Sequence, residues 1–242
     1  MIETVEQTGS TNADLLARLA GGEQIEEGYW LQALRQSGGR GRLGRKWESP
    51  EGNLYCSTIV NLRGGDHPAH TLSFVAGLAV HDALQKSLLP GTNVMLKWPN
   101  DAQIDGAKIA GILLERTGNC VVVGIGVNVC HAPEVTGRET TSVLYENGKH
   151  GGNPGLVLDL LAEGFGQRLV NWRARELAAT LDAWTGVSHP IGTRLTAGQG
   201  DDAVSGSFAG LDEDGALLLR LANGALRTIH AGDVSMITHK DS

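Results

Sequence analysis

The chain has 242 residues, 41% of them hydrophobic and 19% charged, which suits one large domain, alone or with a small appendage, and excludes a disordered chain. A formal net charge of −7 argues against a surface built as a whole for nucleic acid. Any cationic cluster is then a local exception on an acidic background, better suited to a small anionic ligand than to a polymer.

The N-terminal segment MIETVEQTGSTNAD has no basic stretch leading into an apolar one, and no apolar run approaches ~18 residues. Cys56, Cys120 and Cys130 are odd in number, widely spaced and set in apolar runs, and they read as buried free thiols of a reducing compartment. Together these predict a soluble, cytoplasmic protein with no membrane partner.

Ser10 or Thr11 can cap a short helix with Leu15, Leu16 and Leu19 on its apolar face, and Gly21-Gly22 ends it. GYWLQALRQ (Gly28–Gln36) reads as a strand leading into the loop GGRGRLGRKW (Gly38–Trp47), and NLYCSTIVNL (Asn53–Leu62) as the next strand. Thr71–Leu89 has helical periodicity and stops at Pro90-Gly91. Asn93–Asp101, Lys108–Arg116 and Cys120–Val129 read as three strands, with Ile104–Ala107 as a hairpin turn. Residues 154–185 are again helical. From there five short runs punctuated by Asp214-Gly215 and Asn223-Gly224, the last of them DVSMITH, predict a small β-barrel. The expected architecture is α+β: a mixed, mostly antiparallel sheet covered by helices over residues 1–187, and a C-terminal barrel over 188–242.

Gly39-x-Gly41-x-x-Gly44 matches the dinucleotide-binding expression, but Pro50 and Gly52 forbid the helix that must follow, so the phosphate-on-helix reading fails. A P-loop fails as well, since Arg45-Lys46-Trp47 replaces the Lys-Ser/Thr pair. By itself the loop admits three readings: a solvated surface loop, a nucleic-acid contact, or a lid over a phosphate-bearing small molecule. Glycines for close wrapping and arginine forks for phosphate oxygens support the third. In KWPND (Lys97–Asp101), Pro99-Asn100 form a turn presenting Asp101 at a strand end, where Lys108 of the next strand can face it. That pair suits chemistry in which a phosphate is neutralised and an amine loses a proton, and it equally suits a surface ion pair. Gly124 and Gly126 within VGIGVNV (Val123–Val129) mark a close approach by a ligand or another backbone, and Asn128 needs a hydrogen-bonding partner if buried.

Taken in order, STNAD (Ser10–Asp14), RQSGGRGRLGRKWESPEGNLY (Arg35–Tyr55), KWPND, KIAGILLE, VGIGVNV and the tail FAGLDEDGALLL…GDVSMI resemble the biotin protein ligase family nearly end to end. The resemblance implies a class II synthetase-like biotin/lipoate ligase fold. It also implies a two-step reaction using ATP, biotin and Mg²⁺. Biotinyl-adenylate forms first, and the biotinyl group then passes to a lysine of a biotin carboxyl carrier domain. It places Ser10, Thr11, Asn12, Gln36, Arg40, Gly41, Arg42 and Lys108 on biotin. It places Arg42, Arg45, Trp47, Asn100, Lys108 and Asn128 on the adenylate, with Lys108, Asp101 and Arg42 carrying the chemistry. The Mg²⁺ ligands are left unassigned, and monomer and homodimer both remain open. Because the chain begins almost at STNAD, a ligase without operator binding or any other nucleic-acid partner is expected. A lipoate–protein ligase, of the same implied fold and adenylate chemistry, is the nearest alternative, and the arginine loop and STN element favour biotin.

Overall fold

The computed structural model describes residues 1–198 and 203–236, and the end of the DVSMITH run falls outside them. The first sheet has seven strands: β1 (Ile2–Thr8), β2 (Trp30–Gln36), β3 (Leu54–Asn61), β4 (Val94–Lys97), β5 (Asp101–Ile104), β6 (Ala107–Thr117) and β7 (Cys120–Val127). Their order is β1-β2-β3-β7-β6-β5-β4. Only the β1–β2 pair is parallel; the other pairs are antiparallel, as expected. The helices are α1 (Thr11–Ala20), α2 (Leu72–Ser87), the short α3 (Val143–Glu146), α4 (Pro154–Ala174) and α5 (Leu177–Gly186).

Side-chain alternation divides the sheet into two faces. On β7, Val121, Val123, Ile125 and Val127 point into the main core, as do Leu54, Cys56 and Val60 of β3, and α2 and α4 cover them. The opposite set, Ile59 and Val122 with Leu31 of β2, forms a smaller core under α1 with Leu15. The rest of that second face is left for the site. Asn153 caps α4 by accepting from the Gly155 and Leu156 amides, with Pro154 at the first helical position.

Several expectations need correction. The Asn93–Asp101 run is not one strand: the Pro99-Asn100 turn breaks it, so β4 ends at Lys97 and β5 starts at Asp101. The helical stretch 154–185 is two helices, with Arg175 and Glu176 extended between them. β1 carries no strong strand pattern in IETVEQT and is held by its pairing to β2. Of the three cysteines only Cys56 is fully buried, and Cys120 and Cys130 are partly exposed. The C-terminal element is an open five-stranded sheet rather than a barrel. It comprises β8 (Arg194–Ala197), β9 (Val204–Leu211), β10 (Leu217–Arg220), β11 (Leu226–Ile229) and β12 (Val234–Met236), in the order β11-β10-β9-β8-β12. Closure would require β12 to meet β11. Instead β12 is three residues long and pairs with β8, and the residues before it face the arginine loop.

Leu195, Phe208, Leu217 and Val234 of this second sheet join the same continuous core as Trp98, Leu181 and Trp184. Gly215 makes the closest approach: a Cβ there would lie 2.4 Å from Phe74 of α2, and its carbonyl accepts from Trp98 Nε1 at 3.0 Å.

On the rim, Arg173 of α4 donates to both oxygens of Glu27 and to Asp66, tying the helix to the chain entering β2. The hydrogen bond from Arg173 holds the Glu27 carboxyl below its ordinary value of 4.5, outweighing the opposing push of burial. A carboxyl depressed in the folded state contributes stability above its unfolded pKa and loses it as pH falls. Wild type is therefore expected to lose stability as pH drops below about 4.5, and Glu27→Gln, weaker at neutral pH, should show a flatter acid limb in thermal melts. Parallel acid limbs for the two proteins would remove Glu27 from the account.

Candidate active site

Above the second face of the sheet lies a cavity of about 530 Å³, roofed by the arginine loop and walled by the start of α1, the Lys97–Asp101 turn, residues 133–140 and the approach to β12. Its floor is cleared by three glycines. Gly111 of β6 and Gly126 of β7 are register partners, and Gly124 lies opposite Leu113. A Cβ at Gly124 would come 2.2 Å from Asn12 Oδ1, and one at Gly126 would come 2.6 Å from the Trp47 ring. One at Gly111 would come 3.1 Å from both Trp47 and Lys108 Nζ. The floor thus runs from Asn12, under Trp47, to Lys108; Gly124 and Gly126 were expected to admit a ligand or another backbone, and it is the side chains of Asn12 and Trp47 that approach them.

The Asn12 end is built from uncharged hydrogen-bonding groups. Ser10 occupies the cap position of α1 but makes no side-chain capping bond, and it lines the cavity. The Thr11 amide donates to Gln36 Oε1 at 2.9 Å, and its hydroxyl lies 2.7 Å from Ser57 Oγ. Ser57 donates to Asn12 Oδ1 at 2.6 Å, while Asn12 Nδ2 donates to Glu115 Oε2 at 2.9 Å. Glu115 also holds Arg40 at 3.0 Å. Ser57 and Glu115 were not singled out from sequence. Each lies on the site face of its strand, a placement that needs the sheet register and not the strand pattern alone.

The far end is ionic. Lys108 Nζ donates to Asp101 Oδ1 at 2.5 Å, and Arg138 reaches Asp101 Oδ2 at 3.6 Å. Burial pushes the Lys108 ammonium below its ordinary value and Asp101 pulls it back up. Lys97, opposite Asp101 across the β4–β5 pair, is also lowered, chiefly by burial. Asn100 donates to the Ile112 carbonyl at 2.6 Å, and its Oδ1 faces Arg42 at 3.5 Å. Asn128 Nδ2 donates to the Lys108 and Thr141 carbonyls, which fixes the backbone of Lys108. Its Oδ1 has no partner among the described residues. Asn100 and Asn128 are thus largely engaged with the protein.

The roof is a small hairpin. Gly41 N donates to Arg45 O at 2.7 Å and Trp47 N to Gly39 O at 2.9 Å, around a single 3-10 turn at Arg42–Gly44. Leu43 at the tip has φ +57 and is 82% exposed. Arg45 grips both oxygens of Asp233 at 2.7 and 2.8 Å, and Arg42 donates to Gly232 O at 3.3 Å. Burial raises the Asp233 carboxyl, but the bond from Arg45 and the charges of Arg42 and Arg138 leave it below its ordinary value. The Trp47 ring lies 5.1 Å from Lys108 Nζ, close enough for a cation–π contact. The structure therefore brings every sequence-predicted residue to one cavity, adds Lys97, Arg138 and Asp233 to its lining, and places Ser57 and Glu115 behind Asn12. Among the described residues no group of three His, Cys, Asp or Glu could hold a metal.

The fold and this cavity set the class of the protein. The family model of the Biotin/lipoate A/B protein ligase family matches residues 5–128, and that of the Biotin protein ligase C terminal domain matches residues 191–236. The chain belongs to the biotin/lipoate A/B protein ligase family. Its relatives are more particular. A biotin–[acetyl-CoA-carboxylase] ligase of Paracoccus denitrificans is 39% identical over 224 residues, covering 88% of this chain and 92% of its own. A protein of the same name from Mycobacterium tuberculosis is 37% identical, covering 96% and 88%. The biotin protein ligase of Aquifex aeolicus, solved in complex with biotin and ATP, superposes with a TM-score of 0.83 at 28% identity, covering 98% of each chain.

Proposed function

We propose that this chain activates biotin with ATP and transfers it to a lysine of a biotin carboxyl carrier domain. The observation that carries this reading is the two-ended cavity. Neutral donors and acceptors at Ser10, Thr11, Asn12 and Gln36 suit a ureido ring, which offers two N–H groups and one carbonyl. The cations at the other end suit the meeting of a carboxylate with a triphosphate. A carboxylate oxygen of biotin attacks the α-phosphorus, the bond to pyrophosphate breaks, and biotinyl-adenylate remains. The ε-amine of the acceptor lysine then attacks the acyl carbon, AMP leaves with the bonding pair, and Asp101 faces the proton released.

Lys108 sits where the carboxylate and the α-phosphate meet. Arg42 and Arg45 cover the adenylate, Trp47 flanks its adenine side, and Arg40 and Gly41 close over biotin. Asn100 and Asn128 act on the adenylate chiefly by fixing Arg42 and the backbone of Lys108. Asp101 and Asp233 are both held in ion pairs, so among the described residues the donor set offers Mg²⁺ no resident site. The ion fits this site as a companion of the triphosphate, as Mg²⁺ commonly travels. We assign the catalytic unit to residues 1–187 and the accessory unit to 188–242, a division supported by the start of the second sheet at Arg194. No helix among the described residues is long and apolar enough to cross a membrane. A cytoplasmic location is supported by the unpaired thiols.

Calorimetric titration tests the ligand directly: biotin binds, and tight lipoate binding without biotin binding overturns the choice. Arg42→Gly removes the contacts to Asn100 and Gly232 that pin the roof. It is expected to release the activated biotin and scatter label over nearby lysines in a mixed-protein assay, whereas unchanged acceptor selectivity would remove Arg42 from the lid.

A further inference from the structure

We infer that Arg138 is a positioning residue for the activation step. By holding the second oxygen of Asp101, it lets Lys108 leave that carboxylate and meet the anionic oxygens of the substrates. The inference rests on the function proposed above. Lys108 has one ammonium and two calls on it. Its Nζ lies 2.5 Å from Asp101 Oδ1, and both side chains are buried, at 11% and 8% exposed. A lysine that turned from such a partner to a carboxylate and a phosphate would strand a buried anion, the costliest way to break an ion pair.

Arg138 removes that obstacle. It reaches Asp101 Oδ2 at 3.6 Å, so the carboxylate keeps a cation when Lys108 departs. Its guanidinium is 32% exposed and stays partly hydrated, which lessens the desolvation of its own charge. The other cations of the cavity are placed differently. Arg45 is spent on Asp233, Arg42 lies against Asn100 and Gly232, and Lys97 makes no ion pair with Asp101 among the described residues.

The backbone couples Arg138 to Lys108. Arg138 closes a turn by donating to Val135 O at 3.1 Å, with Gly137 at φ +73 supplying the left-handed step. The residues that follow then bond both sides of Lys108: its amide donates to Glu139 O at 2.9 Å, and its carbonyl accepts from Thr141 N at 3.0 Å. A shift of this segment moves both cations together. The charge of Arg138 also lowers the Lys108 ammonium, so its loss should tie Lys108 more firmly to its proton and to Asp101.

Arg138→Gln and Arg138→Lys, each made in the wild-type and Asp101→Asn chains, test this. Single-turnover formation of biotinyl-adenylate is expected to slow about tenfold or more in Arg138→Gln with KM for ATP unchanged. Arg138→Lys should recover most of the rate, and Arg138→Gln should have little further effect once Asp101 is Asn. A second readout needs no substrate: acetylation of Lys108 by acetic anhydride at alkaline pH, followed by peptide mass spectrometry, should be slower in Arg138→Gln. Equal losses in both backgrounds, or a raised KM for ATP with unchanged kcat, would make Arg138 a nucleotide contact and overturn the inference. Unchanged Lys108 acetylation would overturn it too. Should wild type form no adenylate, the functional reading fails, and the acetylation comparison still judges Arg138.

Discussion

Lys108→Ala is expected to reduce biotin-dependent pyrophosphate release by about a thousandfold or more. The side chain stands at the stretch of the glycine floor flanked by Asp101 and Arg138, where two anions must be joined. Deleting a single preorganised donor at such a point costs roughly 10²–10³ in rate, and here the donor carries a full charge that both reacting groups share. The same deletion has a structural consequence. Asp101 would keep the partly exposed Arg138 at 3.6 Å, so the cost should stay below the ~3–5 kcal/mol of a fully stranded buried charge. The melting temperature of Lys108→Ala should therefore fall. Asp101→Asn with Lys108→Met should regain stability without activity, because it removes the buried, less well paired charge along with the cation. Pyrophosphate release within a few-fold of wild type in folded Lys108→Ala would contradict the role.

Gly124→Val is expected to weaken biotin binding about a hundredfold while leaving the fold in place. The Cβ would lie 2.2 Å from Asn12 Oδ1 and 2.7 Å from its Cγ. Asn12 cannot step aside cheaply, since Ser57 and Glu115 hold its two ends at 2.6 and 2.9 Å. Losing two or three hydrogen bonds at this end of the cavity, each worth about 1 kcal/mol net, corresponds to about that loss in affinity. Gly124 lies in extended strand backbone, where Val is at home, so the damage is to the site. Gly111→Ala is the contrasting variant: its nearest neighbours, at 3.1 Å, include the flexible end of Lys108, and its effect should be several-fold smaller. Calorimetry with biotin measures both, and equal affinities for Gly124→Val and wild type would remove Asn12 from the biotin end.

The parts of this architecture legible in sequence were those written in single residues. Pro99-Asn100 dictates a turn wherever it falls, Asp105-Gly106 takes the two positive φ values of a tight hairpin, and the strand glycines mark a floor. The arginine loop carried nothing as a regular expression, which its context already ruled out, and informed as chemistry: its glycines build a hairpin, and two of its arginines fasten to the residues before β12. What the sequence concealed were relations across the sheet. Glu115 reads as the end of an apolar strand until its register places it beside Asn12. Arg138 sits in an irregular segment, tied to Lys108 through a backbone bridge at Thr140 that no local pattern announces. Asp233 lies in the tail quoted for the resemblance, but nothing local says that it grips Arg45. Strand spacing predicted the number of C-terminal strands. It could not say whether their edges meet, because closure depends on what else competes for the edge.

In the proposed reaction one cavity both activates biotin and hands it to a carrier lysine. Its most direct test incubates the purified chain with biotin, ATP, Mg²⁺ and a biotin carboxyl carrier domain and maps the product by peptide mass spectrometry. Biotin is expected on a single carrier lysine, dependent on ATP, with AMP and pyrophosphate released and no label when lipoate replaces biotin. An unlabelled carrier, or equal labelling with lipoate, would contradict it.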